Sequence, residues 1–355
     1  MESIRSVRKS DLDSLVALAQ HVSFGLTTLS PQADRLAKRI EESLAGDAPL
    51  LVMVDRTDAR VMGTAGLFTR VGDAQRAEPF YAYRVERSVH QSLSLNVHLE
   101  VDALHLLKMF NGPTELGTLF LHPDHRGGGV GRILSLSRFL FMALRPTQFD
   151  RQVIAELRGV IDDQGRSPFW DAIGRHFFQV DFPIADALSA GDKKFIAELM
   201  PSHPIYVPLL PLEAQSVIGE VHPQTAPARR LLESEGFYFS NMVDIFDAGP
   251  CLRCDAAAIR TIRDAKTCFI AGIGDAPFTE AGEPMLIAHD GDEFRLIGGK
   301  GLMQNGAVGE QGVTLTRTAA TTLEVEVGDS ICVSPLRGRS IPFGAQWPVL
   351  ATRPF

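Results

Sequence analysis

Two rhythms alternate along the first part of the chain. Ile4-Arg5-Ser6-Val7-Arg8 mixes apolar and polar residues like a short strand. Ser10-Asp11 then offers a helix cap, and Leu12, Leu15, Val16, Leu18 and Ala19 follow at helical spacing. A second helix is expected over residues 33–44, then strands over 50–54 and 61–69 joined by a polar turn at Thr57-Asp58. Asn111-Gly112-Pro113 breaks the chain. Beyond it, residues 116–121 predict a buried strand that ends at His122-Pro123-Asp124. A glycine-rich turn follows, then an apolar helix over 130–144 and a strand over 153–157.

Two later stretches resemble each other. Val153-Ile154-Ala155-Glu156-Leu157 leads through Ser167-Pro168-Phe169-Trp170 and Gly174 to Phe177-Phe178. Val217-Ile218-Gly219-Glu220-Val221 leads through Ala226-Pro227-Ala228-Arg229 to Gly236-Phe237-Tyr238-Phe239. Each reads as strand, loop, helix opened by proline, glycine stop and aromatic strand. The pair fits either a duplicated half-domain over 153–247 or two similar βα units in one sheet. After about residue 255 the texture changes to short strand candidates at 267–273, 285–288, 294–297, 313–316, 323–327 and 331–333. Gly, Asp and Asn turns separate them, as in a small all-β barrel or sandwich. The predicted architecture is therefore an α/β core over 1–250 and a small all-β domain over 251–355, divided near Ala248-Gly249-Pro250.

Composition narrows the function classes. At 355 residues the chain exceeds the roughly 250–300 residues at which single cores stop growing. Thirty-five basic residues against 43 acidic ones leave a net charge of -8, without the basic stripe that a nucleic acid or anionic membrane requires. No run approaches the ~18 apolar residues that span a bilayer, and the first residues hold no apolar export segment, so a cytoplasmic protein is expected. The four cysteines do not form a disulfide framework. Cys251 and Cys254 make a C-x-x-C, but Cys268 and Cys332 supply no second pair, so no metal site is expected.

The chemistry concentrates in Arg126-Gly127-Gly128-Gly129-Val130-Gly131-Arg132. A strand ends, a turn of little bulk follows and a helix begins. The free N–H groups of such a turn and the helix dipole favour an anion, and glycine lets a diphosphate approach the backbone. A nucleotide P-loop needs Lys-Ser or Lys-Thr after its last glycine, and none follows Gly131. The spacing of Gly127, Gly128, Gly129 and Gly131 does not fit the dinucleotide fingerprint G-x-G-x-x-G.

Arg126-x-x-Gly129-x-Gly131 between a strand and a helix instead resembles the pantetheine-diphosphate turn of the GNAT superfamily of acyl-CoA N-acyltransferases. Residues 1–250 follow that superfamily's element order. The likeness narrows through Glu115-Leu116-Gly117-Thr118-Leu119-Phe120-Leu121, Ser135-Leu136-Ser137-Arg138-Phe139, Ile154-Ala155-Glu156-Leu157-Arg158-Gly159-Val160, Phe195-Ile196-Ala197-Glu198-Leu199-Met200-Pro201 and Asp244-Ile245-Phe246-Asp247-Ala248-Gly249-Pro250. With Gly25-Leu26-Thr27-Thr28-Leu29 and residues 217–228, these resemble blocks of the bacterial arginine N-succinyltransferase family.

The resemblance implies a mixed sheet flanked by helices and an acyltransferase that moves succinyl from succinyl-CoA to the α-amine of L-arginine, in arginine breakdown. It implies no permanently bound cofactor, with succinyl-CoA as co-substrate. Some members also act on ornithine, and some assemble as two similar chains, so a homo- or hetero-oligomer is expected. A different amine acceptor, or a non-catalytic assembly subunit, is the rival reading. Carried over by position, the family's acid/base histidine falls on His222 and a backbone contact to succinyl-CoA on Leu119. Arg126, Gly127, Gly128, Gly129, Gly131 and Arg132 would hold the rest of the CoA. The chain departs from the family pattern at Gly117, where cysteine is usual, and its turn is richer in glycine.

The reaction sets its own demands. An α-amine with a reference pKa of roughly 7.7–8.0 is mostly protonated near neutrality, so a base must take its proton and an acid must meet the leaving thiolate. His222 can do either, and Glu115 is the rival base by superfamily analogy. Residue Leu232 stands where many superfamily members carry a tyrosine acid. For the acceptor, Glu156, Glu198, Arg158 and Arg175 are candidates by placement alone.

Overall fold

The computed structural model describes residues 2–22, 26–55, 59–189, 194–274, 282–305 and 311–336. Gly25 and the turn at Thr57-Asp58 lie outside them. The strands are β1 (Ser3–Ser6), β2 (Leu50–Val54), β3 (Val61–Phe68), β4 (Phe80–Ser92), β5 (Val97–Met109), β6 (Thr114–Leu121), β7 (Gln152–Glu156), β8 (Ile205–Tyr206), β9 (Tyr238–Val243), β10 (Pro250–Asp255), β11 (Lys266–Gly274), β12 (Glu283–Asp290), β13 (Phe294–Asn305), β14 (Gln311–Thr316) and β15 (Ser330–Pro335). The helices are α1 (Leu12–Ala19), α2 (Ala33–Ala45), α3 (Val130–Leu144), α4 (Pro168–Ala172), α5 (Gly174–Phe178), α6 (Phe182–Ser189), α7 (Lys194–Leu199), α8 (Leu212–Val217), α9 (Ala226–Glu235), α10 (Arg260–Arg263) and α11 (Arg317–Leu323).

All the strands join one sheet in the order β12-β15-β11-β14-β13-β1-β2-β3-β6-β7-β10-β9-β4-β5-β8, and β12 also pairs with β13. β2 is buried at every position, as its unbroken Leu-Leu-Val-Met-Val run requires of a strand covered on both faces. α3 is buried over its whole middle, from Leu134 to Met142. Its apolar residues fall on every side of the helix, so it must be covered all round. α3 packs against β2 and β3, and also against β12, β13 and β15. No helix among the described residues is long and apolar enough to cross a membrane.

Two irregularities in β6 create the space where the site lies. Its parallel pairing with β7 is confined to Thr114 opposite Val153 and Glu115 opposite Ile154, after which the strands diverge. Against β3, the register slips between Gly66–Gly117 and Thr64–Phe120, so β6 carries an extra residue. Thr118 sits in that bulge at φ +51°, a left-handed conformation that a β-branched residue rarely adopts. Its carbonyl accepts from Thr64 Oγ1 at 2.8 Å, which helps to hold the bulge.

Several sequence expectations are corrected. Residues 217–221 are not a strand: Val217 ends α8, and a loop follows. Phe177-Phe178 lies in α5 rather than in a strand, so the two similar stretches do not share an element order. The division at 248–250 fails because Pro250 opens β10, which lies between β7 and β9 in the sheet. Residues 323–327 are the end of α11 and a turn, so the C-terminal segment is not all-β. There β12, β15, β11, β14 and β13 close into a ring around a core that includes Ile270, Ile287, Val313 and Ile331. Asp11 does not cap α1; its carboxylate accepts from Arg5 Nη1 and Nη2, each at 2.8 Å, and from the Arg8 N–H at 2.7 Å. The long hairpin of β4 and β5, paired from Phe80 opposite Met109 to Ser92 opposite Val97, has no counterpart among the elements expected from the sequence.

Candidate active site

A cleft of about 1890 Å³ opens where β6 and β7 part. One wall is β6 from Glu115 to Leu121, and the turn 126–131 and α3 continue it. The other wall comes from the end of β7, the turn at residues 244–247, α6 and α9.

The glycine turn lies at one end. Gly127, Gly128 and Gly129 have φ of +125°, +58° and +85°, and an added Cβ would meet nothing within 4 Å at any of them. Glycine is required there by conformation rather than by crowding. Gly129 stands at the N-cap of α3, and no side chain caps that end. Arg126 is exposed; its Nε donates to the Leu121 carbonyl at 3.1 Å, and its guanidinium lies 5.7 Å from the Phe120 ring. Arg132, Arg230 and Arg260 line the cleft near the same end. Burial, and then Arg260, lower the Arg132 pKa, while Glu235 opposes the shift. Glu235 is tied to Arg260 and accepts from the Thr261 N–H at 2.8 Å. This basic mouth can hold phosphate oxygens through guanidinium forks and helix N–H groups.

The other end is acidic. Glu115, Glu156, Asp186, Asp244 and Asp247 line it, with Arg158 among them. Burial raises the Asp247 carboxyl well above the usual range, and Asp244 adds to the shift. Asp247 still accepts from the Gly159 and Gly249 N–H groups, each at 2.8 Å. Asp244 accepts from Phe246 N–H at 2.6 Å and Asp247 N–H at 2.9 Å, so the turn is cross-braced.

Of the residues singled out in the sequence, Glu115, Leu119, Arg126, Gly127, Gly128, Gly129, Gly131 and Arg132 all line this one cleft. His222 is not in its lining, although Gln224, Thr225 and Arg158 are. His222 follows α8 in a loop rather than ending a strand. Its N–H donates to the Arg158 carbonyl at 2.9 Å, and its Nδ1 accepts from Gln224 N–H at 3.2 Å. Burial, then Arg158, lower its pKa below the ordinary histidine value, against the pull of Asp163 and a backbone bond to Ile161. Among the acceptor candidates, Glu156 and Arg158 line the cleft. Glu198 is exposed on α7, and Arg175 is tied to Asp171 at 2.9 Å and Asp181 at 2.8 Å. The C-x-x-C thiols sit on opposite faces of β10, Cys251 in one core cluster and Cys254 in another.

Sequence reasoning missed Arg138, Asp186, Asp244 and Asp247 as cleft residues. For Arg138 the signal was present: it is one cation in an apolar helical run. Asp186 carried none, because only the tertiary fold brings α6 to the cleft.

The family described as arginine N-succinyltransferase beta subunit matches residues 2–261. The arginine N-succinyltransferase of Yersinia pestis (strain Pestoides F) is 41% identical over 351 residues, 95% of this chain and 98% of that protein. That of Shigella dysenteriae serotype 1 (strain Sd197) is 46% identical over 281 residues, 76% of this chain and 81% of that protein. Among solved structures, arginine/ornithine succinyltransferase subunit AI from Pseudomonas aeruginosa matches with a TM-score of 0.83 at 31% identity. That match covers 95% of this chain and 99% of the other. The chain belongs to the arginine N-succinyltransferase family.

Proposed function

We propose that this chain is an arginine N-succinyltransferase that binds succinyl-CoA and L-arginine in the cleft between β6 and β7. The observation that carries the reading is the polarity of that cleft, with a basic glycine turn at one end and a carboxylate wall at the other. The diphosphate of CoA suits the turn at Gly127, Gly128, Gly129 and Gly131 with Arg126 and Arg132. The pantetheine arm then follows β6, where the bulge at Thr118 turns the backbone around Leu119 to meet the thioester oxygen as a hydrogen-bond donor. The guanidinium of arginine suits Glu156 and Asp186, and its α-carboxylate suits Arg158.

The deprotonated α-amine attacks the thioester carbon, the C–S bond breaks, and succinyl-arginine and CoA leave. His222, in the loop beside the cleft residues Gln224 and Thr225, is assigned the amine proton, and Glu115, which lines the cleft itself, is the rival for that role. The neutral form of His222 is favoured by its burial and by Arg158. No metal enters the reaction, and no covalent enzyme intermediate is formed. Ornithine as a second acceptor is supported by the Pseudomonas relative, which is named for both amino acids. Assembly with a like chain is supported by the subunit names of the family and of that relative, and sedimentation measures it. The four cysteines are buried and unpaired, which supports a reducing, cytoplasmic setting.

The test is direct. Purified protein given succinyl-CoA and L-arginine should release CoA and form succinyl-arginine by mass spectrometry, with ornithine a weaker acceptor. Absence of any succinyl-amino acid product from a folded, CoA-binding protein would reject the reading.

A further inference from the structure

α3 turns one face to the cleft, and that face holds an arginine with no counter-ion. Gly131, Leu134, Ser135 and Arg138 all line the cleft, and their spacing of three, four and seven residues puts them on one side of the helix. Arg138 is 2% exposed. Its Nε donates to the Ser135 carbonyl at 3.1 Å and its Nη2 to Ser135 Oγ at 2.8 Å. Among the described residues its Nη1 makes no hydrogen bond, and no carboxylate's charge acts on its pKa. Burial alone pushes its pKa down to about 9.

We propose that the Arg138 guanidinium binds the distal carboxylate of the acyl group and so selects succinyl-CoA over neutral acyl-CoA. The proposal rests on the reading of the cleft as a succinyl-CoA site. Isolated buried charges are costly, and they are retained where a partner of opposite charge meets them. Arg138 lies about 10 Å along α3 from Gly131, at a rise of about 1.5 Å per residue. The diphosphate at the turn and the acyl group deeper in the cleft are thus both reached from one helix. Ser135 fixes the plane of the guanidinium and leaves an edge to accept a carboxylate. No carboxylate's charge acts on Arg138, so that edge is left for the substrate, while Glu115 and Glu156 serve the amine end of the cleft.

The experiment compares succinyl-CoA with butyryl-CoA, which has the same carbon count and a methyl group in place of the carboxylate. Arg138→Met should lower the succinyl-to-butyryl ratio of kcat/KM by on the order of 10²–10³-fold, the loss expected when one partner of a buried charge pair is removed. The change should lie mainly in KM for succinyl-CoA, with the butyryl-CoA rate as internal reference. Arg138→Gln, which can keep a bond to Ser135, repeats the comparison if the Met variant does not fold. A folded variant with the wild-type ratio would overturn the role of Arg138 alone. Wild-type protein that transferred neither acyl group would overturn the succinyl-CoA reading itself.

Discussion

His222 has a lone pair on Nδ1 that already accepts the Gln224 N–H, so proton transfer must use the other ring nitrogen or release this one. Its pKa is lowered, first by burial and then by Arg158, so the neutral base persists to lower pH than in a free histidine. The acid limb of kcat/KM should therefore lie below the reference value of about 6.5. His222→Ala should lower kcat by roughly 10²–10⁴ and abolish that limb, with little change in substrate affinity. Glu115→Gln is the contrast: if it removes the limb while His222→Ala does not, the base is Glu115. At this scale the sequence was legible wherever a residue type carries its own chemistry, as at the glycines of the turn. It was not legible at Thr118, because a strand-forming residue gives no local sign of a bulge imposed by β3.

Strands and helices with one buried face were readable, and those with other constraints were not. α2, predicted over 33–44, is Ala33–Ala45, and its capping glycine, Gly46, has φ +92°. β4 is buried only at its start and largely exposed further out, so no alternating apolar pattern announced it. At 217–221, Val217 and Ile218 suggested a strand, but the preceding residues draw Val217 into α8. Between elements, the closest approach is at Gly159 and Gly249. A Cβ on Gly249 would lie 2.0 Å from the Leu157 carbonyl oxygen and 2.6 Å from the Gly159 nitrogen. The two backbones therefore touch, and Asp247 stitches them from the side. Gly249→Ala should destabilise the protein by about 1–3 kcal/mol, the usual cost of overpacking. It should also slow succinyl transfer, because Glu156 and Arg158 belong to the displaced segment. A thermal melt and an activity assay read both effects; an unchanged melting temperature would show that the contact can relax freely.

At the scale of the whole molecule, the C-terminal ring shares its core with the rest. β13 pairs with β1, Ile4 opposite Leu296 and Arg5 opposite Arg295. Leu286, Ala288, Phe294 and Leu296 belong to the same apolar cluster as Phe139, Phe141 and Leu252. Phe141 of α3 meets Phe294 edge to face at 5.0 Å between centroids, and Arg145 stacks on Phe141 at 4.0 Å while pairing with Asp290. None of this has a local signature: partners nearly 300 residues apart in sequence are joined only by the fold, so the sequence pattern divided the chain at 250 where the sheet and the core run on. The consequence for truncation follows from the same contacts. A chain ending at 250 loses β10 from between β7 and β9. A chain ending at 265 keeps β10 but uncovers the second face of α3. Re-exposing a fully buried aliphatic or aromatic side chain costs about 1.5–3 kcal/mol. Losing even three or four such contacts approaches the whole stability of an ordinary domain, about 5–15 kcal/mol. Residues 1–265 alone should therefore lack a cooperative melt and bind succinyl-CoA far more weakly than the full chain. Calorimetry on the purified fragment measures both, and a sharp transition near the full-length temperature with normal CoA binding would show instead that the ring is a separable domain.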